Sequence, residues 1–130
     1  MATLTGISPL LLVGDLDRAV AFYGDRLGFE CELYGDPANF AVVQRDAAVI
    51  LLALARDPAQ IVPNWKIVDK TCNAYIRVDD ADAVYADVQQ RGAEIDYEIY
   101  DTPWGFREFG VQDPDGHDIA FGQPLTQRQD

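Results

Sequence analysis

At 130 residues the chain is long enough for one domain with its own core, and its 48% hydrophobic content is ordinary for a globular protein. A formal charge of −12, from 22 acidic against 10 basic residues, argues against nucleic acid and anionic membranes as partners, because both need basic patches. The same charge suits a solubilising surface or a cationic ligand. No apolar run approaches the ~18 residues of a membrane helix, and no basic segment followed by an apolar one opens the chain, so the cytosol is the expected compartment. Cys31 and Cys72 are the only cysteines. They read as reduced thiols, with one disulfide as the alternative, and their spacing fits no zinc motif.

Leu4 to Val13 reads as a strand. Asp15 is placed to cap a helix, with Asp17 adding negative charge near its N-terminus. Leu16, Ala19, Val20, Tyr23 and Leu27 recur at helical spacing, and Gly28 stands where a left-handed stop is expected. Phe29–Tyr34, Phe40–Arg45 and Val49–Ala55 read as three strands. Residues 56–71 form a linker with Pro58 and Pro63. Its Ile61, Val62 and Trp65 are too apolar for free solvent and are expected to pack.

The grammar then repeats. Asn73–Val78 is a strand, Asp80 a cap, Ala81, Val84, Tyr85 and Val88 a helical stripe, and Gly92 the stop. Glu94–Tyr100, Phe106–Gln112 and His117–Gly122 are three more strands. Val13, Asp15, Asp17 and Gly28 correspond to Val78, Asp80, Asp82 and Gly92, a spacing of about 65 residues, which indicates a duplicated unit. The chain is therefore read as a single α+β domain over residues 1–130. Two strand–helix–three-strand repeats, about 4–55 and 72–122, are joined by the linker. Thr126 to Asp130 read as a frayed tail.

The last two strands flank Asp113-Pro114-Asp115-Gly116, a tight hairpin sequence in which Pro presets φ and Gly tolerates positive φ. His117, the sole histidine, follows it and reads as an exposed turn residue. No nucleophile signature lies near it, and no Gly-rich phosphate loop is present, so the residues suggest neither a catalytic set nor a bound cofactor.

The duplicated unit, with Gly-Asp-Leu-Asp-Arg-Ala-Val-Ala-Phe-Tyr at 14–23, Leu-Gly-Phe at 27–29 and Asp-Pro-Asp-Gly at 113–116, resembles the vicinal-oxygen-chelate superfamily of glyoxalases, extradiol dioxygenases and bleomycin-resistance proteins. Pro9, Ile61-Val62-Pro63, Tyr85-Ala86-Asp87 and Pro103-Trp104-Gly105 with Arg107-Glu108-Phe109 are most similar to the bleomycin-resistance branch. The resemblance implies paired βαβββ modules forming a curved, partly open mixed sheet with helices outside. It also implies a homodimer, in many members with an exchanged N-terminal strand, and ligand crevices between subunits.

Metal-dependent members carry one ligand on each of four strands. Those positions fall here on Ser8, Leu51, Asn73 and Ala120, which do not make a divalent metal site. If these positions face the crevice, strand alternation turns Leu10, Leu12, Tyr75, Arg77, Glu108 and Asp118 the same way. Aromatic residues add Tyr34, Phe40, Trp65 and Trp104 as flat surfaces. The ligand-binding set is thus Tyr34, Phe40, Leu51, Trp65, Tyr75, Arg77, Trp104 and Glu108. The expected function is metal-free sequestration of a cationic aromatic antibiotic of the bleomycin type. The alternatives are a glyoxalase- or dioxygenase-like enzyme and a binder of another small metabolite.

Overall fold

The computed structural model describes residues 1–125, so the expected frayed tail, Thr126 to Asp130, lies outside the described residues. The first module runs β1 (Leu10–Val13), α1 (Leu16–Ala21), β2 (Glu30–Gly35), β3 (Ala38–Arg45) and β4 (Ala48–Leu54). The second runs β5 (Ala74–Arg77), α2 (Ala81–Gln90), β6 (Ile95–Asp101), β7 (Phe106–Gln112) and β8 (Asp118–Pro124). Each module is a four-stranded mixed sheet, ordered β1-β4-β3-β2 and β5-β8-β7-β6. In each, the first strand runs parallel to the last, with Leu10 opposite Leu51 and Ala74 opposite Ile119. The repeat in the sequence is a repeat in the structure.

Both helices start as their sequences predict. Asp15 accepts from the Arg18 N–H at 3.1 Å and Asp80 from the Ala83 N–H at 3.0 Å. Each cap satisfies one of the N–H groups that a helix start leaves unpaired. α1 ends sooner than its stripe suggests. From Phe22 to Arg26 it widens into a π-type turn that carries Tyr23 into the core. Such turns mark a side chain needed off the regular helical face; here the Tyr23 hydroxyl donates to Asp113 at 2.9 Å. Gly28 and Gly92 end the helical segments at φ 78° and 87°. A Cβ on Gly28 would lie 3.0 Å from the Arg91 guanidinium, and one on Gly92 would lie 2.6 Å from that of Arg26. The two helix ends therefore sit close together, and Arg26 donates to the Arg91 carbonyl at 2.8 Å.

The helix-covered faces of both sheets share one apolar cluster. Leu11, Val13, Tyr23, Leu27, Val43, Ile50 and Leu52 come from the first module, and Val88, Phe109, Val111, Ile119 and Phe121 from the second. Phe109 and Phe121 stack with centroids 5.0 Å apart. Burying each such side chain contributes about 1.5–3 kcal/mol, so the shared cluster ties the modules together.

Three expectations are corrected. The strand expected from Leu4 forms only from Leu10: β1 pairs with β4, the last bond of that pairing is from the Leu51 N–H to the Pro9 carbonyl at 2.9 Å, and among the described residues no strand lies beside residues 1–8. Leu4 and Ile7 stand 97% and 95% exposed. His117 is not an exposed turn residue: it is buried, and its ring N–H donates to the Leu12 carbonyl at 2.7 Å. With Gly14 N–H donating to Asp115 at 2.9 Å, it bolts the β7–β8 hairpin to the end of β1. In the linker, Ile61 and Trp65 are half-buried and Pro63 is fully buried, but Val62 remains exposed. Cys31 and Cys72 are free, half-buried thiols, and burial raises the pKa of each.

Candidate functional site

Each sheet has a second face that no helix covers, and the two uncovered faces differ. In the first module Leu10, Leu12, Leu51, Phe40 and Tyr34 lie on it by strand alternation. Leu10 is 53% and Leu12 44% exposed. Tyr34 and Phe40 pair across β2 and β3 with ring centroids 6.4 Å apart. The Tyr34 hydroxyl donates to Glu32 at 2.8 Å. This wall is apolar, with one acid at its edge.

The second module's wall is built on glycine. Gly110 and Gly122 face outward from β7 and β8, and their missing side chains make room for two tyrosines. A Cβ on Gly110 would strike the Tyr97 ring, and one on Gly122 the Tyr75 hydroxyl. Both phenols converge on Glu108, Tyr75 at 2.9 Å and Tyr97 at 2.8 Å. Burial first, and then the Glu108 carboxylate, raise both phenol pKa values, so the hydroxyls remain donors. Glu108 itself is buried. It is therefore neither a solvated carboxylate nor an arginine partner, but the centre of a two-tyrosine clamp.

A displaced register in β6 completes this wall. Ile95 lies opposite Val111, Tyr97 opposite Gly110 and Tyr100 opposite Glu108, so bulges interrupt the pairing twice. Bulges re-aim side chains. Ile95 and Ile99 stay against the core, while Tyr97 and Tyr100 turn to the uncovered face, their rings 6.1 Å apart. Asp96, within the first bulge, turns toward Asp118 at the start of β8. Burial and then the Asp96 carboxyl push the Asp118 pKa up to about 6.

The structure thus gathers Tyr75 and Glu108 into one cluster and Tyr34, Phe40 and Leu51 into another. Arg77, two residues on from Tyr75 along β5 and opposite Gly122, shares the face of Tyr75 and also borders a cavity of about 320 Å³ between the modules, with Phe29, Ile76 and Phe121. Trp65 is tied down, its indole N–H donating to the Gly116 carbonyl at 2.6 Å. Trp104 projects alone from the β6–β7 turn, 63% exposed, beside Gly105 at φ 88°. Tyr97, Tyr100 and Asp96 are absent from the sequence-based set. A regular strand would place Tyr97 with Ile95 and Ile99, and nothing in the alternation announces the bulges.

The superfamily's metal positions do not fit a metal here. Leu51 and Ala120 supply no donor atom, Ser8 precedes β1 on the exposed arm, and Asn73 hydrogen-bonds the Asn64 N–H at 3.1 Å. Among the described residues no group of three or more His, Cys, Asp or Glu is placed to hold an ion. No helix among them is long and apolar enough to cross a membrane.

Comparison with known proteins agrees with this architecture. A bleomycin resistance protein of Geobacillus stearothermophilus is 28% identical over 132 aligned positions, covering 90% of this chain and 95% of the relative. The bleomycin-binding protein of Streptomyces verticillus, solved with copper(II)-bleomycin, superposes with a TM-score of 0.69 at 26% identity, covering 98% of this chain and 100% of the other. An antibiotic binding protein from Streptomyces sp. CB03234 gives 0.69 at 28% identity, covering 95% and 98%. The sequence pattern of the Glyoxalase/Bleomycin resistance protein/Dioxygenase superfamily matches residues 6–121, and the chain belongs to that superfamily.

Proposed function

We propose that this protein binds and sequesters a cationic, aromatic antibiotic of the bleomycin type without converting it. The observation that carries the reading is the Glu108 clamp. A buried carboxylate is held between Tyr75 and Tyr97 on an uncovered sheet face whose counterpart in the first module is apolar. Aromatic rings offer stacking and cation–π contact, and the acid draws a positive group to them. A net charge of −12 steers such a ligand inward from a distance. Bleomycin resistance and bleomycin binding among the relatives support the same reading.

The crevice is completed by a second copy of the chain. Leu10, Leu12 and Tyr75, at 53%, 44% and 40% exposure, leave apolar surface open that a second copy would cover. The arm ahead of Pro9 carries the exposed Leu4 and Ile7 and suits pairing with that second copy. The metal-dependent lyase and dioxygenase readings need ligands that Ser8, Leu51, Asn73 and Ala120 do not supply.

The test is calorimetric titration with copper(II)-bleomycin, combined with recovery of the drug. Saturable binding, near one drug per crevice, with the drug recovered chemically unchanged is the expected result. A drug recovered modified makes the protein an enzyme. No binding, alongside a thermal shift from a different small metabolite, assigns it to that metabolite instead.

A further inference from the structure

The Glu108 clamp explains one acid of the second module's wall and leaves another unexplained. Asp118 opens β8 with its side chain on the uncovered face. Its main-chain carbonyl is held by the Asn73 N–H at 2.8 Å. The side chain is only 8% exposed, and its Oδ1 has no hydrogen-bond partner among the described residues. A buried carboxylate oxygen without a partner is costly, and most such groups are satisfied. Asp96, in the first β6 bulge, brings its carboxyl within hydrogen-bond reach of Asp118. The ion pairs among the described residues engage Asp82, Asp87 and Asp101, and none engages Asp96 or Asp118. Two acids thus face one another with no ion-paired cation between them among the described residues.

We propose that Asp118 and Asp96 form a cation subsite that takes a protonated amine or guanidinium group of the bound ligand, set apart from the Glu108 clamp that holds its aromatic part. The proposal rests on the cationic-ligand reading above and adds to it where the charge is received. A carboxylate pair offers several lone pairs to N–H donors, and a guanidinium fork matches such a pair. The groups around Asp118 are accounted for: Asp96 from β6, Asp113 from the hairpin, Cys72 from the approach to β5, and the neutral Gln112 amide from β7. Burial first, and then Asp96 and Asp113, disfavour the charged form of Asp118 while Gln112 favours it, so Asp118 holds its proton more tightly than an isolated carboxyl does. Arrival of a ligand cation displaces that proton to solvent, and the two negative charges then face a positive one.

The test follows the Asp118 carboxyl by carbon NMR through a pH titration, with and without agmatine, a small molecule carrying one guanidinium and one ammonium. The expected result is a midpoint lowered by agmatine, with the effect lost in Asp96→Asn. Copper(II)-bleomycin should bind Asp118→Asn about tenfold more weakly than the parent near neutral pH. The exposed control Asp17→Asn should bind as the parent does. A midpoint that agmatine leaves in place, or moves equally in Asp96→Asn, overturns the subsite. If bleomycin fails to bind the parent while agmatine still moves Asp118, the antibiotic reading falls and the cation subsite stands.

Discussion

The two modules share a backbone plan and diverge on the face that the plan leaves open. In the first, β1, β4 and β3 present Leu10, Leu12, Leu51 and Phe40, and bulk fills the surface. In the second, the facing positions of β7 and β8 are Gly110, Ala120 and Gly122, and the volume comes instead from Tyr75 and Tyr97, which lie over those small residues and donate to Glu108. The core sides stay alike, because both must pack a helix. The difference teaches that duplication fixed the scaffold while the free faces became an apolar wall and an acidic, phenolic one. Together these suit a ligand with a flat apolar part and a positive charge.

The comparison breaks most readily at glycine. Gly110→Val drives a branched side chain into the Tyr97 ring. It should cost about 3 kcal/mol in urea melts by overpacking and should unseat Tyr97 from Glu108. A comparable change on the first module's open face, Ala53→Val at the position that corresponds to Gly122, adds apolar bulk to an already apolar, half-buried position and should cost far less. Equal costs would mean that the two faces are alike.

Glu108→Gln keeps the shape and removes the charge. Losing charge-assisted bonds from two phenols should cost about 2 kcal/mol of stability. Binding of a cationic ligand should weaken and become less sensitive to salt. Unchanged salt dependence in calorimetry would show that the second wall does not use its charge.

Asp118 gives the second wall a pH signature that the first lacks. Its pKa is raised to about 6, so it favours the folded state while protonated, and that contribution is lost as pH rises through about 6. Between about pH 4 and about pH 7 the parent should lose on the order of 1–2 kcal/mol relative to Asp118→Asn. Parallel stability curves for the two proteins would contradict this. The smallest effect is expected at Trp104, which stands clear of both clusters. Trp104→Ala should cost about 1 kcal/mol of binding if the indole caps the ligand, and should leave urea melts nearly unmoved. A large loss of stability would make Trp104 part of the core.

Much of this architecture is legible in the sequence because it depends on local signals. Asp15 and Asp80 announce helix starts, Gly28 and Gly92 their ends, and Asp113 to Gly116 a hairpin. The alternation of β7 and β8 correctly turns Glu108 and Asp118 away from the helices. What stays hidden depends on pairing between distant strands. Regular alternation would group Tyr97 with Ile95 and Ile99, and the β6 bulges turn it the other way. The hairpin sequence shows nothing of Leu12, whose carbonyl buries His117. The stretch from Leu4 reads as a strand, yet a strand needs a neighbour, and the described residues offer none before Pro9.

The central claim is that one ligand lies between unlike walls. Isotope-edited NOE spectroscopy of the protein saturated with metal-free bleomycin tests it most directly. Aromatic protons of one bound ligand should contact both the Leu10 and Leu12 methyl groups and the Tyr75 and Tyr97 rings. Contacts confined to a single wall, or to Phe29 and Ile76 in the cavity between the modules, would contradict it.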